Sequence, residues 1–324
     1  MVFFVLSGFV IAYVASEKET TPREYFASRF ARLYSVAVPA LILTVVLDSI
    51  GSKVNYSLYA GWWFQSDNPI WRFVANLFFV NELWFNSIRP FSNGPYWSLG
   101  YEFWYYVLFA CVHYLQGAFR YLLAGLICLF VGVKILLLLP IWLMGVLVFS
   151  VGKHYTISHA TGWMLFIVSV VLYVLFRLGG YPHALLEWTI NNLGEPGVEM
   201  LGWSQHFLSS YLIGALIAVH FIGATVISRQ LSPVLVAFES PVRYLAGFTF
   251  ALYLFHYPSL QFFAAMFSSV ENAALRTSCI LGGTVLVVWV LGTITEKKKH
   301  DLRRSLLRVY DTASEKILHV LRAN

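Results

Sequence analysis

Residues 119–152 read FRYLLAGLICLFVGVKILLLLPIWLMGVLVFSVG, a long apolar stretch whose interior is interrupted by Lys134 and Pro140. A helix needs about 20 apolar residues to cross a bilayer, so this stretch is read either as two short spans or as one long kinked helix. The same pattern recurs outward in both directions. Apolar runs at 2–15, 33–50, 96–115, 119–134, 138–152, 162–178, 206–227, 243–268 and 275–294 leave only brief polar gaps. Together they predict an all-α, polytopic transmembrane helical bundle of about nine spans. Residues 71–85 are also apolar, but Arg72, Asn76, Asn81 and Glu82 make them a re-entrant or interfacial helix rather than a span.

Composition carries the same conclusion for the whole chain. Of its 324 residues, 59% are hydrophobic and 12% charged, and the mean hydropathy is +0.68. A soluble domain of that length needs far more polar surface, so a soluble enzyme is excluded. Aromatics reach 18%, with 11 tryptophans and 19 tyrosines, which suits many span ends at the membrane interface. Cys111, Cys128 and Cys279 lie within apolar runs and have no paired spacing; they are read as reduced packing residues, without metal or disulfide.

The net charge of +6 is concentrated near the C-terminus, at Lys297, Lys298, Lys299, Arg303, Arg304 and Arg308. A short basic run after a span is topological, so residues 296–324 are expected to form a basic cytoplasmic tail, not a nucleic-acid site. Residues 1–295 then form one membrane domain, with no visible repeat. Placing the tail and the Arg23, Arg29, Arg32 region on one side requires an even number of crossings between them. The loops with Lys153 and Arg229 then fall inside, and the acidic loop with Glu187, Glu195 and Glu199 falls outside. Met1 also falls outside, which suggests that the sequence begins one span late. A signal peptide ending near Ala12 and Ala15 is the competing reading, against which no positive n-region precedes the run.

Four stretches bear polar groups that a membrane helix does not carry without cause. Phe3 to Ile11 (FFVLSGFVI) sets Ser7 and Gly8 among bulky residues, as close helix packing requires. In Arg29 to Tyr34 (RFARLY), Arg29 and Arg32 stand at i and i+3 on one face. Two guanidinium forks there suit phosphate, as an acyl-CoA donor from the cytoplasm would offer, although ordinary inner-face anchoring also accounts for them. Pro95 to Tyr106 (PYWSLGYEFWYY) opens a span and places Glu102 among aromatics. Helical spacing aligns Ser98, Glu102 and Tyr105 or Tyr106, so hydroxyls can hold the carboxylate toward the bundle interior. Such a group acts as acid or base, or orients a sugar hydroxyl or an arginine; a structural ion pair is the competitor. Thr249 to Pro258 (TFALYLFHYP) lines up Thr249, Tyr253 and His256 ahead of a helix-bending proline. His256 is either a proton shuttle or a packed core histidine. His113, His206 and His220 have no comparable setting.

In this order, Phe-Phe-x-x-Ser-Gly, Arg-x-x-Arg-hydrophobic-Tyr, Trp-Ser-Leu-x-x-Glu and Leu-Tyr-Leu-x-His-x-Pro resemble the acyltransferase 3 family, from Val2 to about Thr293. The resemblance implies a membrane O-acyltransferase of the bacterial inner membrane. Its expected donor is cytoplasmic acyl-CoA, acetyl-CoA in the first instance, and its acceptor is a surface or lipid-linked carbohydrate such as a polysaccharide or lipopolysaccharide sugar. It implies donor binding by Arg29 and Arg32, catalysis by Glu102 and His256, and substrate contacts from Trp97, Ser98, Tyr105 and Tyr253. No bound cofactor, metal or nucleic acid is expected. The partners are membrane lipid, the carbohydrate and acyl-CoA.

Two features depart from the family pattern. Phe103 stands where a second acid follows the glutamate. An earlier helix, with an Arg and a His, is expected before Phe3. A truncated, inactive copy, or a non-catalytic protein that binds or transports glycans, is therefore the alternative.

Overall fold

The structure, a computed structural model, describes residues 1–228 and 230–323, the side chains of 314–323 aside, so Arg229 lies outside the described residues. Its helices are α1 (Val2–Glu17), α2 (Pro22–Val54), α3 (Pro69–Leu77), α4 (Trp97–Tyr114), α5 (Phe119–Val131) and α6 (Val133–His154). They continue as α7 (His159–Leu178), α8 (Tyr181–Met200), α9 (Phe207–Ile227), α10 (Ser232–Ala237), α11 (Glu239–Met266) and α12 (Ala273–Ala323). Among the described residues there is no strand, only an isolated antiparallel bridge between Gln65 and Phe91.

Each run expected to span coincides with a helix. Five of them, α2, α6, α7, α9 and α12, are long and apolar enough to cross a membrane, while α1 and α5 are apolar but shorter. The chain is an all-α membrane protein. The runs at 119–134 and 138–152 separate at Gly132, whose φ of 80° lies in the left-handed region, and not at Lys134 or Pro140. Pro140 stays inside α6. The acidic segment expected as a loop is the helix α8, entered through Gly180 and Pro182 and broken at Gly194 ahead of Pro196.

The chain divides into two compact units. The first comprises Met1–Thr20, Glu82–Ser87 and Tyr101–Ser240. Its centre is α6, whose Ile135, Leu138, Ile141 and Trp142 are fully buried, with α1, α5 and α9 packed against it. Where α1 crosses α6 the backbones touch. A Cβ on Gly8 would lie 1.9 Å from the Trp142 carbonyl oxygen, and one on Gly145 would lie 1.9 Å from that of Val5. Tyr105 and Tyr211 donate to the carbonyls of Ile135 (2.7 Å) and Leu137 (2.6 Å). These flank Leu136, whose helical donor is lost because Pro140 has no N–H.

The second unit comprises Thr21–Asn81, Ile88–Gly100 and Pro241–Asn324. Here α2 packs against α12 and α3. The Thr21 side chain caps α2 by accepting from the Glu24 N–H, with Pro22 in the first turn. Of residues 71–85, expected as a re-entrant or interfacial helix, only the part up to Leu77 is helical, in α3, which exposes Ile70 and Trp71 while burying Arg72 and Asn76. The basic stretch after residue 295 continues α12 without a break.

Candidate functional site

The first unit holds Glu102 and Tyr105; the second holds Arg29, Arg32, Trp97, Ser98, Tyr253 and His256. Helix α4 carries Trp97 and Ser98 in its first turn and Glu102 one turn on from Ser98.

Glu102 is 1% exposed. Its Oε1 accepts from Ser7 Oγ at 2.7 Å and from the Tyr106 hydroxyl. Ser7 in turn accepts from Trp142 Nε1 at 3.2 Å and lies 3.3 Å from the Tyr106 oxygen. The carboxylate is thus held by hydroxyls, as the helical spacing predicts, but the residues are Tyr106 and Ser7. A serine inside a helix commonly returns its proton to the carbonyl four residues back. Ser7 instead reaches from α1 to α4, so the Ser-Gly pair has two separate uses: Gly8 admits α6, and Ser7 binds the acid. Sequence reasoning gave both to packing. The available signal was a hydroxyl alone in a bulky apolar helix, with its glycine neighbour already explaining the close approach.

Tyr105 is fully buried, and its hydroxyl is committed to the Ile135 carbonyl. Ser98 Oγ lies 2.8 Å from the Tyr253 hydroxyl, which ties the start of α4 to α11 within the second unit. On α11, His256 Nδ1 lies 2.8 Å from the Leu252 carbonyl oxygen. A carbonyl can only accept, so Nδ1 is the donor in this contact. Trp97 is half-buried. Arg29 is 7% exposed, with its guanidinium 5.4 Å from the centre of the Tyr25 ring; Arg32, one turn on, is half-buried.

A second buried charge cluster was not anticipated. Lys134 Nζ donates to Glu82 Oε2 at 2.8 Å, to Ser87 Oγ at 2.7 Å and to the Asn86 carbonyl. The two side chains are 0% and 2% exposed. All three ammonium donors are used, which makes this a closed structural pair, not a reactive one. Lys134 and Glu82 had each been noticed as interrupting an apolar run. That two opposite charges would be cheapest to bury together was the unused signal. Among the described residues no group of three or more His, Cys, Asp or Glu is placed to hold a metal ion.

A search of curated proteins and a search of solved structures return no match. The model of a family described as an acyltransferase domain matches residues 1–293. That match takes in every helix bearing Ser7, the Arg29 and Arg32 pair, Glu102 and His256, and on its breadth the chain belongs to the acyltransferase 3 family.

Proposed function

We propose that the chain is a membrane O-acyltransferase that moves an acyl group, in the simplest case acetyl, from cytoplasmic acyl-CoA to a hydroxyl of an extracytoplasmic or lipid-linked carbohydrate. The observation that carries this reading is His256, whose Nδ1 is engaged by a backbone carbonyl in a chain of this family, so that Nε2 is the basic atom. The sugar hydroxyl attacks the thioester carbonyl carbon and gives its proton to Nε2. The new C–O bond forms, the C–S bond breaks, and CoA leaves with the proton as the free thiol. Glu102 is the second candidate proton carrier, since both of its hydroxyl bonds fall on Oε1. Arg29 and Arg32 grip the CoA phosphates. Trp97 and Tyr253 offer ring faces to the sugar, with Ser98; Tyr105, whose hydroxyl is committed to the Ile135 carbonyl, takes a packing role. No resident cofactor is part of this chemistry.

The membrane arrangement that accompanies it has nine crossings and the basic end of α12 on the cytoplasmic face of a bacterial inner membrane.

The test is release of CoA thiol from acetyl-CoA by the purified chain in lipid nanodiscs, with a panel of oligosaccharides and lipid-linked glycans as acceptors. His256→Ala is expected to lower the rate at least 100-fold, the scale of a lost general base. Arg32→Ala is expected to raise the KM for acetyl-CoA, and Glu102→Gln to lower kcat. A chain that binds glycan yet releases no thiol and acylates no acceptor is a non-catalytic glycan-binding protein, and the proposal fails.

A further inference from the structure

Pro258 lies inside α11. Having no N–H, it leaves the Leu254 carbonyl, four residues back, without its helical donor. The structure supplies a replacement from elsewhere in the same unit. Asn93, fully buried, donates through Nδ2 to the Leu254 carbonyl oxygen at 3.0 Å and to Thr44 Oγ1 on α2 at 3.1 Å. Thr44 spends its own proton on the Ala40 carbonyl at 2.7 Å, so it can only accept from the amide. Both Nδ2 protons therefore face acceptors, and rotating the amide by half a turn would set its oxygen against the same two acceptors.

The side chain is aimed by its neighbour. Asp48 on α2 accepts from the Ser92 N–H at 2.9 Å and from Ser92 Oγ at 2.8 Å. The turn is closed by the Asn93 N–H donating to the Pro90 carbonyl at 3.0 Å. Ser98 makes a second tie to α11 at Tyr253, the residue before Leu254. The segment from Ser92 to Ser98 is thus a brace between α2 and the bend in α11, with Asn93 on the one carbonyl that the proline vacates.

We propose that Asn93 is a positioning residue: it completes the broken turn of α11 and so holds Tyr253 and His256 in the direction that acyl transfer requires. The proposal rests on the function given above. Its physical basis is that a buried carbonyl without a donor costs about as much as a lost hydrogen bond, so the bend is stable in one geometry while Asn93 is present and relaxes without it.

The experiment is a double-mutant cycle of Asn93→Ala and Pro258→Ala in the full chain, in nanodiscs. Pro258→Ala returns an N–H to the helix and makes the amide redundant. In the native background, Asn93→Ala is expected to lower kcat for CoA release from acetyl-CoA about tenfold, the scale of one buried hydrogen bond, with the KM for acetyl-CoA unchanged. In the Pro258→Ala background the same change is expected to cost less than about twofold.

Amide hydrogen exchange across residues 250–262 gives a second readout that needs no turnover. Asn93→Ala should speed exchange there, and much less so when Pro258 is replaced. Equal exchange effects in both backgrounds overturn the brace. Coupled exchange with unchanged kcat in an active chain overturns the positioning role. If the native chain releases no CoA, the proposed function falls and the exchange cycle alone decides the brace.

Discussion

Glu82 and Glu102, both buried in the first unit, are held in different ways. Glu82 has a full cation at 2.8 Å and a serine hydroxyl at 3.0 Å. Among the described residues Glu102 receives only hydroxyls, from Ser7 and Tyr106. Separating a buried ion pair is expensive because the survivor keeps its charge in a medium that cannot solvate it. Lys134→Met should therefore destabilise the chain by roughly 3–5 kcal/mol, whereas Lys134→Met with Glu82→Leu should recover most of that loss. Thermal unfolding of the three variants in one detergent at one scan rate checks it; a double variant no better than the single one would show that the pair does more than satisfy itself. The hydroxyl ring around Glu102 behaves differently, since a hydroxyl can turn its proton toward either state of the acid. Outside the membrane helices, Arg72 holds the Asp67 carboxyl below its ordinary value through a hydrogen bond. A lowered carboxyl stabilises at neutral pH, and that support disappears as pH falls below about 4 toward the lower folded value. Asp67 is exposed, so Asp67→Asn should leave the neutral-pH unfolding midpoint nearly unmoved.

At the scale of elements, the crossing of α1 and α6 sets the frame in which Ser7 meets Glu102. Gly145→Ala would drive its Cβ into the Val5 carbonyl, which is backbone and cannot turn aside. The expected cost is about 1–3 kcal/mol. Gly152→Ala, on the same helix with open space at its Cβ, should instead be neutral or stabilise by up to about 1 kcal/mol. Unfolding midpoints that move alike for both variants would remove the close crossing from the account. The contrast also marks what the sequence can disclose. Helix positions were legible because each apolar run must satisfy its own backbone in lipid, leaving few alternatives to a helix. The break at Gly132 was not, since Lys134 and Pro140 are louder signals and each is accommodated: the lysine by Glu82, the proline by tyrosines on the flanking carbonyls. Helix α8 was missed because its charges and Pro196 mimic a loop. Of the candidate site, the Tyr106 hydroxyl on Glu102 followed from helical spacing. Ser7, Thr44, Asp48 and Asn93 did not, because their partners lie between 44 and 161 residues away in the chain.

For the whole molecule the open quantity is the number of crossings, and one set of contacts constrains it. At the start of α2, Arg23 pairs with Asp311 and donates to the Leu307 carbonyl, while Arg303 donates to Ser28 at 2.8 Å. The beginning of α2 and the far part of α12 therefore lie on one face of the membrane, and the chain between them must cross an even number of times. The five long apolar helices all fall within that interval, and five is odd. If all five cross, at least one further helix crosses with them. The nine-crossing arrangement proposed above adds α4, α5 and α11, for eight, and α1. The two counts differ at defined places. With eight crossings after α1, the turn at Gln116 lies on the same face as Lys18 and Glu271 lies on the opposite one; with five, both assignments reverse. Single cysteines at Lys18, Gln116, Glu271 and Lys298, all exposed, in a chain whose Cys111, Cys128 and Cys279 are changed to alanine, can be labelled with a membrane-impermeant maleimide before and after permeabilisation. Lys18, Gln116 and Lys298 are expected to label only after permeabilisation, and Glu271 before it. Labelling of Lys18 and Lys298 from opposite faces would break the parity, and with it the proposed placement of Arg29 and Arg32 on the face where acyl-CoA would arrive.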